Sequence, residues 1–170
     1  MPGATFISGD RIDLRTVEAD DYAFVRRHAN DHRVRDWIGG NEPNDPDDVE
    51  AWIEAADAIG FIPVVDDEPV GYVWLFRIER SARRAEIGYW IAPEFQGQGY
   101  GSEAAKLIVD YAFDDLNCHR VTARVYEGNE PSSRILESLG FQHEGCLRER
   151  GYADGEYLDC DLYGLLAAEY

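Results

Sequence analysis

One stretch constrains this chain more than any other: EIGYWIAPEFQGQGYGSEAAKLIVDYAF, Glu86 to Phe113, sets a strand, a glycine-rich turn and a helix in immediate succession. Glu86 to Ala92 is rich in aromatic and β-branched residues and stops at Pro93, which cannot donate to a ladder. Gly97, Gly99 and Gly101 follow at alternate positions, so the backbone can take positive φ and a ligand can approach closely. From Ser102 onward Ala104, Ala105, Ile108, Tyr111 and Ala112 recur at helical spacing, with Glu103, Lys106 and Asp110 between them. Unpaired amides at the start of that helix, reinforced by its dipole, suit an anion such as a phosphate or pyrophosphate.

Two common phosphate loops fit poorly. The nucleotide P-loop needs Lys-Ser/Thr after its last glycine, and none is present. The dinucleotide fingerprint needs GxGxxG within an early βαβ unit, whereas the spacing here is GxGxG. A plain structural loop between strand and helix is the remaining alternative to an anion cradle.

With 170 residues, no repeat and no low-complexity linker, one domain over residues 1–170 is expected. No apolar run could span a bilayer and the first ten residues lack a secretory pattern, so a cytoplasmic protein without membrane contact is expected. Cys118, Cys146 and Cys160 are odd in number and lack CxxC spacing, which suggests reduced thiols. His28 and His32, at i, i+4, could bridge a metal, but a solvated helix end is the expected placement and no metal is expected. The net charge is −18, from 34 acids and 16 bases, and Lys106 is the single lysine. Such a surface argues against nucleic acid as a ligand. The arginine-for-lysine bias with abundant acids resembles proteins of salt-in halophiles, where concentrated salt screens self-repulsion.

Along the chain, Ile12–Leu14 reads as a short strand, Glu18 to Ala29 as a helix with an acidic start, and 31–37 as a further helical turn. A Gly/Asn/Pro/Asp loop leads to a helix opened by Pro46, in which Val49, Trp52, Ile53 and Ala56 share a buried face; Trp37 and Trp52 are expected in the core, with Trp52 over the cleft as the alternative. Phe61–Val65 and Val70–Ile78 form a hairpin before the central strand, and Arg120–Tyr126 returns beside it. A helix opened by Pro131 ends at Gly140, and Cys146–Tyr152 pairs with Tyr157–Leu166 across Ala153-Asp154-Gly155.

The motif Gln96-x-x-Gly99-x-Gly101, the preceding strand, and the later strand followed by Asn129-x-x-Ser132 and Leu139-Gly140-Phe141 together resemble the GNAT superfamily of N-acetyltransferases. The resemblance covers essentially the whole chain. Residues 129–134, Glu144-Gly145-Cys146-Leu147 and Asp154-Gly155-Glu156-Tyr157, with Asp159 and Tyr163, are similar to its RimJ/RimL branch, associated with protein N-termini and small amines. It implies an α+β, three-layer acyl-CoA N-acyltransferase fold, with a mixed twisted sheet of about seven strands and flanking helices.

It also implies acetyl-CoA as co-substrate and direct attack by a primary amine in a ternary complex. The backbone of Trp90, Ile91 and Ala92 would meet the pantetheine arm. Gln96, Gly97, Gln98, Gly99, Tyr100, Gly101 and Ser102 would surround the pyrophosphate, and Asn129 would meet the pantetheine end or cap its helix. An oxyanion would be met by a backbone N–H near residues 89–91, where the central strand bulges. Many members protonate the thiolate with a Tyr at the position of Leu136; the resemblance to the RimL-like pattern points instead to Ser132, which could equally cap the helix. The amine's proton would go to Glu86, whose alternative placement is a solvated strand end, or to Glu149, beside the Gly151 that occupies another family base position. An α-amine arriving neutral needs no base. With Leu136 and Gly151 in place, a non-catalytic acyl-CoA-binding sensor is the alternative reading. A homodimer through the last strands is plausible.

Overall fold

The strand–turn–helix stretch lies at the centre of a nine-stranded mixed sheet in the computed structural model, which describes residues 2–170. The strands are β1 (Thr5–Ser8), β2 (Asp13–Thr16), β3 (Ile59–Val65), β4 (Glu68–Pro69), β5 (Gly71–Glu79), β6 (Arg84–Ile91), β7 (Arg120–Tyr126), β8 (Gln142–Ala153) and β9 (Glu156–Leu166). The helices are α1 (Tyr22–Ala29), α2 (His32–Ile38), α3 (Pro46–Ile53), α4 (Tyr100–Asp114) and α5 (Glu130–Ser138). The order across the sheet is β1-β2-β3-β5-β6-β7-β9-β8, with β4 beside β3. Among the described residues only β6 and β7 pair in parallel, and α4 is the crossover that joins them.

Two strands exceed the expected seven. Gly9 donates to the Ile12 carbonyl at 2.9 Å and turns Thr5–Ser8 back onto β2, where its mostly exposed residues gave no alternation to read. β4 is a two-residue bridge inside the expected 66–69 turn. The last hairpin begins four residues earlier than its aromatic pattern suggested, and its first strand, β8, forms an open edge.

Local chemistry sets the helix ends. Asp45 accepts from the Asp48 amide and Asp48 from the Asp45 amide, a capping box with Pro46 in the first turn of α3. Asp31 caps α2, which ends at Gly39 with φ +80°. In α5 the Phe141 amide donates to Leu136 O and the Gly140 amide to Glu137 O, a Schellman stop with Gly140 at φ +92°.

The sheet separates two cores. On one face Ala104, Ala105, Ile108, Val109 and Ala112 of α4 are fully buried against β5, β6 and β7, their small side chains letting the helix lie close. On the other, α1 to α3 cover Ile62, Tyr72, Trp74 and Trp90. Trp52 packs against this core as expected, edge-on to Tyr72 and Trp74 at 5.3 and 5.1 Å, and not over a cleft. His28 is not at a solvated helix end either: it is 3% exposed and packs on Phe24 and Trp90, while His32 stays outside beside Asp31. No helix among the described residues is long and apolar enough to cross a membrane.

Candidate active site

β6 is paired with β5 along its length, but its pairing with β7 stops after Glu86–Thr122. The strands then diverge, β6 running on to Ile91 and β7 to Tyr126. Because the Ala92 amide donates to Val70 O, backbone alternation turns residues 90, 88 and 86 toward β5 and leaves 87, 89 and 91 facing the opening. The Ile91 carbonyl accepts from Gln96 Nε2 at 2.9 Å. Tyr89 and the Ile91 amide therefore offer strand-edge backbone groups to a guest.

Above this opening lies the glycine turn. Gly97 and Gly99 take φ +76° and +85°, which only glycine adopts cheaply, and no atom of the described residues lies within 4 Å of a Cβ built on Gly97. Gly101 differs from expectation: it is already helical, in an α4 that starts at Tyr100 rather than Ser102, and it lets the helix pack near Ile91 and Ile135. No side chain among the described residues caps α4, so its first amides can meet an anion, and the open space at Gly97 fits a phosphate group there. Arg11, which sequence reasoning missed, fastens the turn. Its Nη1 donates to Gln98 O at 2.8 Å, its Nε to Glu103 at 3.0 Å, and its guanidinium lies 5.4 Å from the Tyr100 ring centre. Glu103 also accepts from the Arg11 and Ile12 amides; burial pushes its carboxyl pKa up, but these amides and the guanidinium outweigh it and hold it below the ordinary value.

Asn129 opens α5 and its side chain accepts from the Ser132 amide at 3.4 Å, so it is the helix cap. The Ser132 hydroxyl lies 2.9 Å from the Tyr89 hydroxyl. Burial pushes the Tyr89 pKa up to about 12, against the pull of the Ser132 bond, so the phenol keeps its proton at neutral pH. Leu136 is fully buried in the α4-side core.

Glu86 is not a solvated strand end: it is 7% exposed, the third residue of β6. Arg77 Nη1 donates to its Oε2 at 2.7 Å, and Arg124 Nε lies 3.2 Å from Oε1. Glu149 sits elsewhere, in a cleft of about 190 Å³ with Asp36, Tyr126, Tyr152 and Tyr157. It has φ +51° where the β8–β9 register slips, a bulge that re-aims a side chain. A Cβ at Gly151 would come within 2.6 Å of the Tyr126 ring, so any side chain there would require the ring to move. Trp90 turns its indole into the α1–α3 core, where Nε1 finds no partner among the described residues.

Known proteins are similar to this chain in sequence and fold. A family model described as an acetyltransferase (GNAT) domain matches residues 11–142. An uncharacterized N-acetyltransferase p20 of Bacillus licheniformis is 31% identical over 170 aligned residues, covering 95% of this chain and 96% of its own. A crystal structure of spermidine N-acetyltransferase from Vibrio cholerae in complex with CoA and spermine superposes with TM-score 0.88 at 27% identity, covering 95% and 99% of the two chains. Mycobacterium smegmatis RimJ in complex with CoA-disulfide gives TM-score 0.79 at 28% identity, covering 93% and 83%.

Proposed function

The chain belongs to the GNAT acetyltransferase family, enzymes that use acetyl-CoA to acetylate an amine, and from that premise we propose how its own residues do so. Acetyl-CoA supplies the activated acyl group. The free amides of α4 and residues 96–102 hold its pyrophosphate, with the Arg11 charge alongside. The open edge of β6 takes the pantetheine amides as a neighbouring strand would, through the backbone of Tyr89 and Ile91, since Trp90 and Ala92 face β5, and Asn129 meets the far end of that arm. The amine attacks directly: its nitrogen bonds the acyl carbon as the carbon–sulfur bond breaks. The proton it sheds passes to Glu86, with Glu149 guiding the amine or replacing Glu86. A strand-edge amide at Tyr89 or Ile91 steadies the acyl oxygen. Ser132 Oγ, bonded to the Tyr89 hydroxyl, returns a proton to the thiolate.

The observation that carries this reading is the end of β6–β7 pairing at Glu86–Thr122, beside an uncapped helix start and a buried carboxylate. Residues 129–134 and the likeness to RimJ support a RimJ/RimL-type acceptor, a peptide N-terminus or a small primary amine. The chain would act as one domain, in the cytoplasm, with the β8 edge available for a homodimer and the acidic shell tuned to concentrated salt. The test is a pH–rate profile of acetyl transfer for wild type, Glu86→Gln and Glu149→Gln. Glu86→Gln should lower turnover most at low pH, where the amine is protonated; an unchanged profile removes Glu86 from the mechanism.

A further inference from the structure

The cleft into which Glu86 opens is basic, in a chain that is otherwise strongly acidic. It has a volume of about 350 Å³ and lies at the closed end of the strand opening, lined by Arg77, Arg84, Arg120 and Arg124 with Glu79 and Glu86. Four of the chain's 16 basic residues thus face one cavity, although acids outnumber bases 34 to 16 overall.

The four arginines are not equivalent. Arg84 gives two hydrogen bonds to Glu79, and Arg120 pairs with Glu144 through both terminal nitrogens, so each has a carboxylate of its own. Arg77 and Arg124 instead share Glu86. Two guanidiniums on one carboxylate leave one positive charge uncompensated, and neither arginine has a second carboxylate partner among the described residues. Arg77 is held there by an irregularity in β5: its φ is +50°, and the β5–β6 register slips between Phe76 and Glu79. Such a bulge redirects a side chain. Phe76 supports the guanidinium, 5.4 Å below it. Both guanidiniums are reachable, with side chains 53% and 34% exposed.

We propose that this cleft takes an acceptor amine bearing a carboxylate or phosphate within a few bonds of its nitrogen, a small zwitterion of amino-acid type: Arg77 and Arg124 hold the anion and Glu86 faces the ammonium. The inference rests on the acetyltransferase reading above and adds the acceptor's chemical class to it. A polyamine has no group for the two arginines and would bring further positive charge against them. An arginine fork recognises planar carboxylate and phosphate oxygens in pairs. An amino-acid zwitterion carries no net charge, so the chain's overall negative field does little to it at long range and the short-range contacts decide its binding.

The test is CoA-thiol release from acetyl-CoA with matched acceptors: amino acids against their amides, O-phosphoethanolamine against ethanolamine, and spermidine. The anionic member of at least one pair should exceed its neutral partner in kcat/KM by about tenfold, mainly through KM. Arg77→Gln and Arg124→Gln should each bring that ratio to within about twofold of one, with acetyl-CoA affinity retained as the measure of folding. Arg124→Lys, which keeps charge but loses the fork, should fall between. The amino-acid and phosphate pairs separately identify which anion is read. Equal or faster turnover of amides, spermidine or peptide N-termini overturns this inference alone, as does a preference that survives both glutamine variants. Acetyl-CoA binding with no release from any acceptor overturns the transferase reading as well.

Discussion

Replacing Glu103 with alanine should loosen both the fold and the cofactor turn, because this side chain joins two distant segments. It is 14% exposed and accepts from the Arg11 amide at 2.8 Å, the Ile12 amide at 3.2 Å and Arg11 Nε at 3.0 Å. Truncation leaves the two amides without their partner. A hydrogen bond to a charged group contributes about 1.5 to 3 kcal/mol; the low end suits amides this near the surface, giving about 3 kcal/mol for the pair. The guanidinium contact is counted as nothing, since Arg11 is 53% exposed. For a chain of this length that corresponds to a drop in Tm of about 6 to 12 °C. Glu103→Gln, which keeps one acceptor oxygen, should lose about half as much.

Because the folded-state pKa of Glu103 lies below its ordinary value of 4.5, its contribution is complete above that value and is lost as pH falls through the depressed one. The difference between wild type and variant should therefore be largest near neutrality and shrink in acid. Thermal denaturation at several pH values, with acetyl-CoA titrated calorimetrically, measures both effects. Arg11 would also release Gln98 O, so affinity should fall with stability. A Glu103→Ala protein melting within about 2 °C of wild type at neutral pH would refute the account of this latch.

Gly99 in the turn and Gly101 in the first turn of α4 should respond in opposite ways. Gly99→Ala forces a side chain to φ +85° and a Cβ to within 2.9 Å of Arg11 Nη2, costing about 1 to 2 kcal/mol and weakening acetyl-CoA binding. Gly101→Ala meets only ordinary contacts at 3.5 Å and should melt at or slightly above the wild-type temperature. Ser132→Ala should lower kcat by about 10²-fold with little change in acetyl-CoA affinity, and Tyr89→Phe should lower it less, as measured by thiol release. Raising salt to molar concentration should raise Tm by screening a net charge of −18; a flat salt titration would remove the argument for a salt-adapted surface.

How much of this was legible in the sequence depended on how far apart the interacting residues are. The turn at 96–101 could be read because its glycines, the strand before it and the helix after it are contiguous. Asn129 as a cap and Gly140–Phe141 as a stop were equally local, and both stand in α5. The latch could not be read: Arg11 and Glu103 are 92 residues apart, and an arginine after a Gly-Asp turn carries no mark of its target. Tyr89 and Ser132, 43 residues apart, meet only because the sheet and α5 converge. Glu86 could be read as a base or as a solvated strand-end acid, and the sequence could not decide because the arginines that pair with it come from β5 and β7. His28 was misplaced for a similar reason, since its burial is made by Trp90 on a strand far along the chain. The strand β1 lacked the apolar alternation that burial on one face would have imposed.

The central claim is that the opening between β6 and β7 brings acetyl-CoA to an amine. The most direct measurement is CoA-thiol release with acetyl-CoA alone and with each acceptor in turn, accompanied by mass analysis of the acceptor. The account predicts slow release without an amine and fast release with a suitable one, each thiol matched by one acetylated nitrogen. Acetyl-CoA that binds at the turn but is released at the same rate with and without every amine, leaving the acceptors unmodified, would contradict it.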